Sequence, residues 1–169
     1  MVFAQKGCSA VLLVDSDDGP NILLTERAAT LANYPGILVF PGGSADTRDD
    51  GSVATALREA AEEIGIDPTH VHIIGTLPPV HLAEAGFVVT PVVGWCTRVE
   101  RVDAICAAEV ARELQIPLRE FADASTRVQG KRSTGSTGPA FSFEGTAVGD
   151  MTSAVIHALV GALVGPPPA

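Results

Sequence analysis

Phe-Pro-Gly-Gly-Ser-Ala-Asp-Thr-Arg-Asp-Asp-Gly-Ser-Val-Ala-Thr-Ala-Leu-Arg-Glu-Ala-Ala-Glu-Glu-Ile-Gly-Ile, residues 40–66, sets a glycine turn ahead of a segment with three glutamates and one arginine among its last nine residues. Val53, Leu57, Ala60, Ala61 and Ile64 recur at helical spacing and form one apolar stripe. Ser52 is placed to cap the start of this helix, and Gly65 followed by Asp67-Pro68 to stop it. At about 100° per residue, Glu59, Glu62 and Glu63 are expected on the face opposite the stripe, converging at one surface. Arg58 can reach Glu62 one turn on, but Glu59 and Glu63 are a like-charge pair at i, i+4, which costs a few tenths of a kcal/mol in an isolated helix. A bound Mg²⁺ or Mn²⁺ would reverse that sign, because hard divalent ions take carboxylate oxygens together with waters and substrate phosphates. The Gly42-Gly43 turn lets backbone approach closely and can add a carbonyl oxygen to the same ion.

The segment resembles the signature of the Nudix hydrolases, Gly-x5-Glu-x7-Arg-Glu-U-x-Glu-Glu-x-Gly-U with U aliphatic. Residues 58–66 match its second half, with Ala60 a small residue at an aliphatic position. The first half departs. Fourteen residues separate Gly43 from Arg58, where the pattern has thirteen, and the isolated glutamate gives way to Asp49 or Asp50. The flanks are similar to the coenzyme A pyrophosphatase branch of that family: Leu23-Leu24-Thr25-Glu26-Arg27-Ala28, Phe40-Pro41-Gly42-Gly43 and Gly86-Phe87-Val88-Val89-Thr90-Pro91 carry the likeness, which extends over most of residues 8–122. Ala32, Tyr34 and Gly149-Asp150 stand where that branch has an arginine, a histidine and a tryptophan-glycine pair.

The resemblance implies an α/β/α sandwich with a mixed sheet between helices. It also implies Mg²⁺- or Mn²⁺-dependent hydrolysis of the pyrophosphate in a nucleoside diphosphate linked to another moiety, with coenzyme A or a derivative as one candidate. Carried onto this chain, Glu59, Glu62, Glu63 and the carbonyl of Gly42 or Gly43 are the metal ligands, and Arg58 orients them. Glu109, after the long strand, is a further ligand or general base, and Arg27 a contact for substrate phosphate. Two alternatives share the helix: a house-cleaning nucleoside triphosphate pyrophosphohydrolase, and a non-catalytic ligand-sensing module.

The rest of the sequence is consistent with a small α/β protein. With 169 residues and 46% apolar content the chain suits one domain with a real core. Runs at Cys8–Val14, Ile22–Glu26, Ile37–Phe40, Val71–Leu77, Phe87–Cys96 and Glu113–Pro117 read as strands between Gly, Pro and Asp turns. Together with a second helix over 154–164, capped by Asp150 or Thr152, they predict a mixed sheet covered by helices. Gly130 to Pro139 has the composition of a mobile linker. Trp95 and Phe87, on an apolar strand, are expected in the core.

Eleven basic against twenty acidic residues leave a net charge of −9, which argues against nucleic acid or an anionic membrane as partner. Three cysteines without Cys-x-x-Cys spacing suggest neither a disulfide framework nor a zinc site, and no signal peptide is evident, so a cytoplasmic protein is expected. Its expected partner is a small nucleotide-type molecule; a homodimer is an option the sequence leaves open.

Overall fold

The structure is a computed structural model that describes residues 5–82, 86–99, 106–123, 126–131 and 137–164. Its centre is a sheet in the order β3(Leu38–Val39), β2(Asn21–Arg27), β1(Gln5–Val14), β7(Phe87–Cys96), β5(Val71–Thr76). β4(Gly42–Ser44) pairs with β1, β6(Val80–Leu82) with β7, and β8(Val110–Pro117) with β2. β1 and β7 run parallel over ten paired residues while the other pairings are antiparallel, so the sheet is mixed as expected.

Alternation along β1 sorts the core into two halves. Cys8, Ala10, Leu12 and Val14 face one side, where they meet Ala56, Ala60 and Ile64 of α1(Gly51–Ile64). Val11 and Leu13 face the other side and share a cluster with Val155, Ile156, Leu159 and Val160 of α2(Asp150–Val164). Two helices on opposite faces of one sheet make the α/β/α sandwich. Ile64 is 1% exposed, a burial that contributes about 1.5–3 kcal/mol.

Pro91 lies inside β7, where a missing N–H would ordinarily break a central ladder. Its carbonyl accepts from Leu77 N, beyond the end of β5 and before β6 begins, so the proline faces the gap between those two strands.

Several local expectations are corrected. Helix α1 starts two residues earlier than a Ser52 cap requires: Asp50 occupies the cap position without a side-chain cap bond, and Ser52 lies in the first turn. Gly65 ends the helix in the left-handed conformation, as expected. At α2, Ser153 N bonds the Gly149 carbonyl, so Gly149 precedes the helix and Thr152 is buried within its first turn rather than capping it. The stretch read as a linker carries paired strands at both ends: β9(Arg127–Lys131) and β10(Thr137–Phe143) are antiparallel, and β11(Thr146–Ala147) completes a small second sheet. Residues 132–136 lie outside the described residues. No helix among the described residues is long and apolar enough to cross a membrane.

Candidate active site

The site begins with two glycines brought against β1. Gly42 and Gly43 pair with Ser9 and Cys8. A Cβ on Gly42 would lie 2.3 Å from the Cys8 carbonyl oxygen, and one on Gly43 would lie 2.5 to 2.7 Å from the carboxylate atoms of Glu59. Only glycine allows strand and helix to approach so closely. The Glu59 carboxylate takes up the room that a Gly43 side chain would need, and Gly42 N donates to Glu63 Oε2 at 3.3 Å.

Glu59 and Glu63 therefore lie inward, against the glycine strand, and not on a face opposite the core. The buried set of α1 is Thr55, Ala56, Ala60 and Ile64, while Val53 and Leu57 are only half-buried. The burial stripe is rotated toward the Thr55–Glu59–Glu63 line because the two glycines of β4 give that side of the helix bare backbone to pack on. Glu62 does point outward; its side chain is 60% exposed, against 15% for Glu59.

Arg58 holds this end of the molecule together. Its guanidinium donates to Asp49 Oδ1 at 2.9 Å and Oδ2 at 3.0 Å, to Glu59 Oε1 at 3.0 Å, to Glu62 Oε2 at 3.2 Å and to the Ser44 carbonyl at 2.9 Å. Asp49 also accepts from Thr55 Oγ1 and from Asp46 N, both at 2.9 Å. Arg58 and these bonds hold the Asp49 carboxyl well below the usual carboxylate range. Of the two aspartates read as alternatives for the missing signature glutamate, Asp49 is bound into the bracket for Arg58 and Asp50 sits at the helix cap.

Electrostatics separates the inner glutamates from their surroundings. Burial pushes the Glu63 carboxyl up to about 8; the Gly42 N–H opposes this, Glu59 and Glu109 add to it, and Arg27 pulls the other way. Burial also raises Glu59, against the pull of Arg58. Glu109 is exposed, on a loop pinned to the end of β2 by the Ala28 N bond to its carbonyl, and it borders the same cleft as Glu63. Arg27 lines that cleft too, at a bulge that ends β2, with Nε and Nη2 donating to the Asn33 carbonyl at 3.3 and 3.1 Å. The structure thus brings Glu63, Gly42, Gly43, Arg27 and Glu109 around one opening, with Glu59 packed against Gly43 and Arg58 bonded to both Glu59 and the exposed Glu62.

Sequence reasoning missed the cleft's other wall. The cavity, about 200 Å³, is also lined by Cys8, Ser9, Leu82, Phe87, Val89 and Met151. Phe87 is partly exposed there and is not the core residue expected. Its signal was present: Gly7 and Phe87 stand two steps apart on paired strands, and only a glycine leaves room for the ring.

Among the described residues no three His, Cys, Asp or Glu side chains stand close enough to cage a metal ion unaided. The site nonetheless suits a hard divalent cation. Such ions need only one or two carboxylates when phosphate and water complete the shell. Two crowded carboxylates with raised pKa, set against the backbone of Gly42 and Gly43, supply that partial set.

Comparison with known proteins agrees with this architecture. The NUDIX domain model matches residues 5–124. The chain is 40% identical over 119 residues to NudL of Salmonella newport, an uncharacterized Nudix hydrolase; the match takes in 66% of this chain and 62% of that protein's length. A Nudix hydrolase from M. smegmatis, RenU, superposes with a TM-score of 0.68 at 15% identity, over 98% of this chain and 89% of its own. The Nudix domain of Shewanella oneidensis NrtR, solved with ADP ribose, gives 0.54 at 23% identity over 71% and 77%. The chain belongs to the Nudix family.

Proposed function

We propose that this chain is a Mg²⁺- or Mn²⁺-dependent hydrolase that cleaves the pyrophosphate of a nucleoside diphosphate linked to another moiety, with coenzyme A or a derivative as the first candidate substrate. The observation that carries the reading is the placement of Glu59 and Glu63 against the Gly42–Gly43 strand, with Arg27 and Glu109 across the same opening. The family membership, the likeness to NudL and the ADP ribose held by the NrtR domain support a small nucleotide-type substrate.

Glu59, Glu63 and the Gly43 carbonyl are the groups that would hold the cation, with Glu62 joining from the rim. Bound there, a divalent ion neutralises the charge that builds on phosphate oxygens and lowers the pKa of water. The chain's own work is positioning. Arg58 fixes Glu59 and Glu62 through charge-assisted bonds and ties them to the Ser44 carbonyl of the glycine strand. Arg27, held by the Asn33 carbonyl through Nε and Nη2, brings a guanidinium charge to the cleft where phosphate oxygens would bind. Glu109, exposed and unencumbered by burial, can take the proton of an attacking water while the inner glutamates are committed elsewhere. Little covalent chemistry is asked of the protein in such a transfer, so positioning and electrostatics dominate.

The test is turnover by the purified protein of coenzyme A, ADP ribose, a diadenosine polyphosphate and a set of nucleoside triphosphates, with Mg²⁺, with Mn²⁺ and with EDTA. Metal-dependent cleavage of the diphosphate in coenzyme A, lost with EDTA, is the expected result. Preference for triphosphates would move the chain to the house-cleaning class. Tight binding of a nucleotide without any turnover would make it a sensor.

A further inference from the structure

The cleft has two unlike walls. One holds the carboxylates and Arg27; the other is apolar, made by Phe87 and Val89 of β7, Leu82 of β6, Val39 and Phe40 beside the glycine turn, and Met151 at the start of α2. Phe87 and Leu82 are directly paired, as are Val89 and Val80, so these side chains rise from the same face of the sheet. Val80 packs on the α2-side core, which places that face.

Phe87 keeps its position through a missing atom. A Cβ on Gly7 would lie 2.3 Å from the ring and 2.6 Å from the Gly43 carbonyl oxygen. The ring therefore rests on bare β1 backbone as the immediate neighbour of a carbonyl from the glycine turn. An apolar ring at that point meets whatever adjoins the phosphates.

We propose that Phe87, seated on Gly7, is a specificity-determining residue that stacks a flat nucleobase-type ring beside the diphosphate. The inference rests on the reading of the cleft as a diphosphate site and adds which part of the substrate the apolar wall accepts. Volume favours a single ring: small-molecule pockets commonly span roughly 300–1,000 Å³, and here about 200 Å³ is shared between phosphate and its neighbour. The wall also has few groups free to read base edges. The Thr25 hydroxyl donates to the Val39 carbonyl. Recognition by face contact alone holds a ring while discriminating little between purines and pyrimidines, since every base has a π-face.

The test reads binding separately from turnover. With Mg²⁺ present, calorimetry compares α,β-methylene-ADP, which cannot be hydrolysed at the bridging position, with its abasic counterpart, ribose 5-(α,β-methylene)diphosphate. The wild-type protein should favour the base-bearing compound by about tenfold or more, the range expected of one base on one aromatic ring. Phe87→Leu, which keeps an apolar side chain of similar bulk, should bring the ratio close to one, and Phe87→Trp should preserve it. The cytidine analogue should bind wild type within a few-fold of the adenosine one. An unchanged ratio in Phe87→Leu, or no base preference in wild type, overturns the proposal. Base preference without hydrolysis of any diphosphate would instead sink the hydrolase reading alone, and hydrolysis without base preference would sink the stacking role alone.

Discussion

The two helices cover opposite faces of one sheet, but they use that position differently. The buried residues of α1 are mostly small, Thr55, Ala56 and Ala60, and β4 beneath it begins with two glycines, so the helix comes close enough to set carboxylates against strand backbone. The buried residues of α2 are chiefly Val155, Ile156, Leu159 and Val160, which fill volume against β10 and the turn at 118–122. Small residues bring functional groups to the backbone, and large ones supply cohesion.

The sharpest way to break that contrast is to neutralise the inner carboxylates. Glu63→Gln or Glu59→Gln should lower kcat by about three orders of magnitude, because each removes a carboxylate that would hold the cation facing the phosphates. Steady-state kinetics at saturating Mg²⁺, alongside a thermal melt, would read it; a loss of less than tenfold would remove these residues from the chemistry. On the other face, Ile156→Ala should cost about 2–5 kcal/mol of stability through the cavity it leaves, while the rate per folded molecule stays near wild type. Denaturant titration and active-site counting separate the two.

Gly43→Ala tests the closeness itself. Its methyl group would press on the Glu59 carboxylate, and about a hundredfold loss of kcat/KM is expected from displacement of a catalytic group by a fraction of an ångström to an ångström. A smaller effect follows from protonation. Glu63, raised from 4.5 to about 8, binds its proton more tightly in the folded metal-free protein than in the unfolded chain. Its contribution is fully present below 4.5 and is lost as pH rises through about 8, so melts in EDTA should fall across that window. A cation competes for the same carboxylate, and apparent Mg²⁺ affinity should weaken about tenfold per pH unit below about 8. Melts run with and without Mg²⁺ should diverge as the pH climbs; parallel curves would contradict the placement of the ion beside Glu63. The mildest change should be Glu62→Gln, at the exposed rim, with a loss of tenfold or less. A loss equal to that of Glu63→Gln would show that the outer glutamate reaches inward when substrate binds.

Periodicity and composition, read without coordinates, carried the architecture a long way. The strand runs at 8–14, 22–26 and 87–96 fall inside observed strands, and α1 ends at Gly65 as its left-handed capping role requires. These features are local, since alternation, apolar spacing and glycine stops act within a few residues. The grouping Arg58-Glu59-x-x-Glu62-Glu63 was equally legible as acidic chemistry, being contained in two turns of helix.

What the chain order could not say is which glutamate faces inward. That depended on β4 offering bare backbone to one side of α1, a contact between segments that rotates the buried stripe away from its apolar centre. The same holds for Asp49, whose partner Arg58 lies nine residues on, and for Phe87, which is accommodated by Gly7 on a parallel strand eighty residues earlier in the numbering. Side-chain type, spacing and local turns were set by the sequence alone; the inward pair, the arginine bracket and the aromatic wall arose only when distant strands were laid side by side, because close packing, not propensity, decides which face of a helix or a ring is left open.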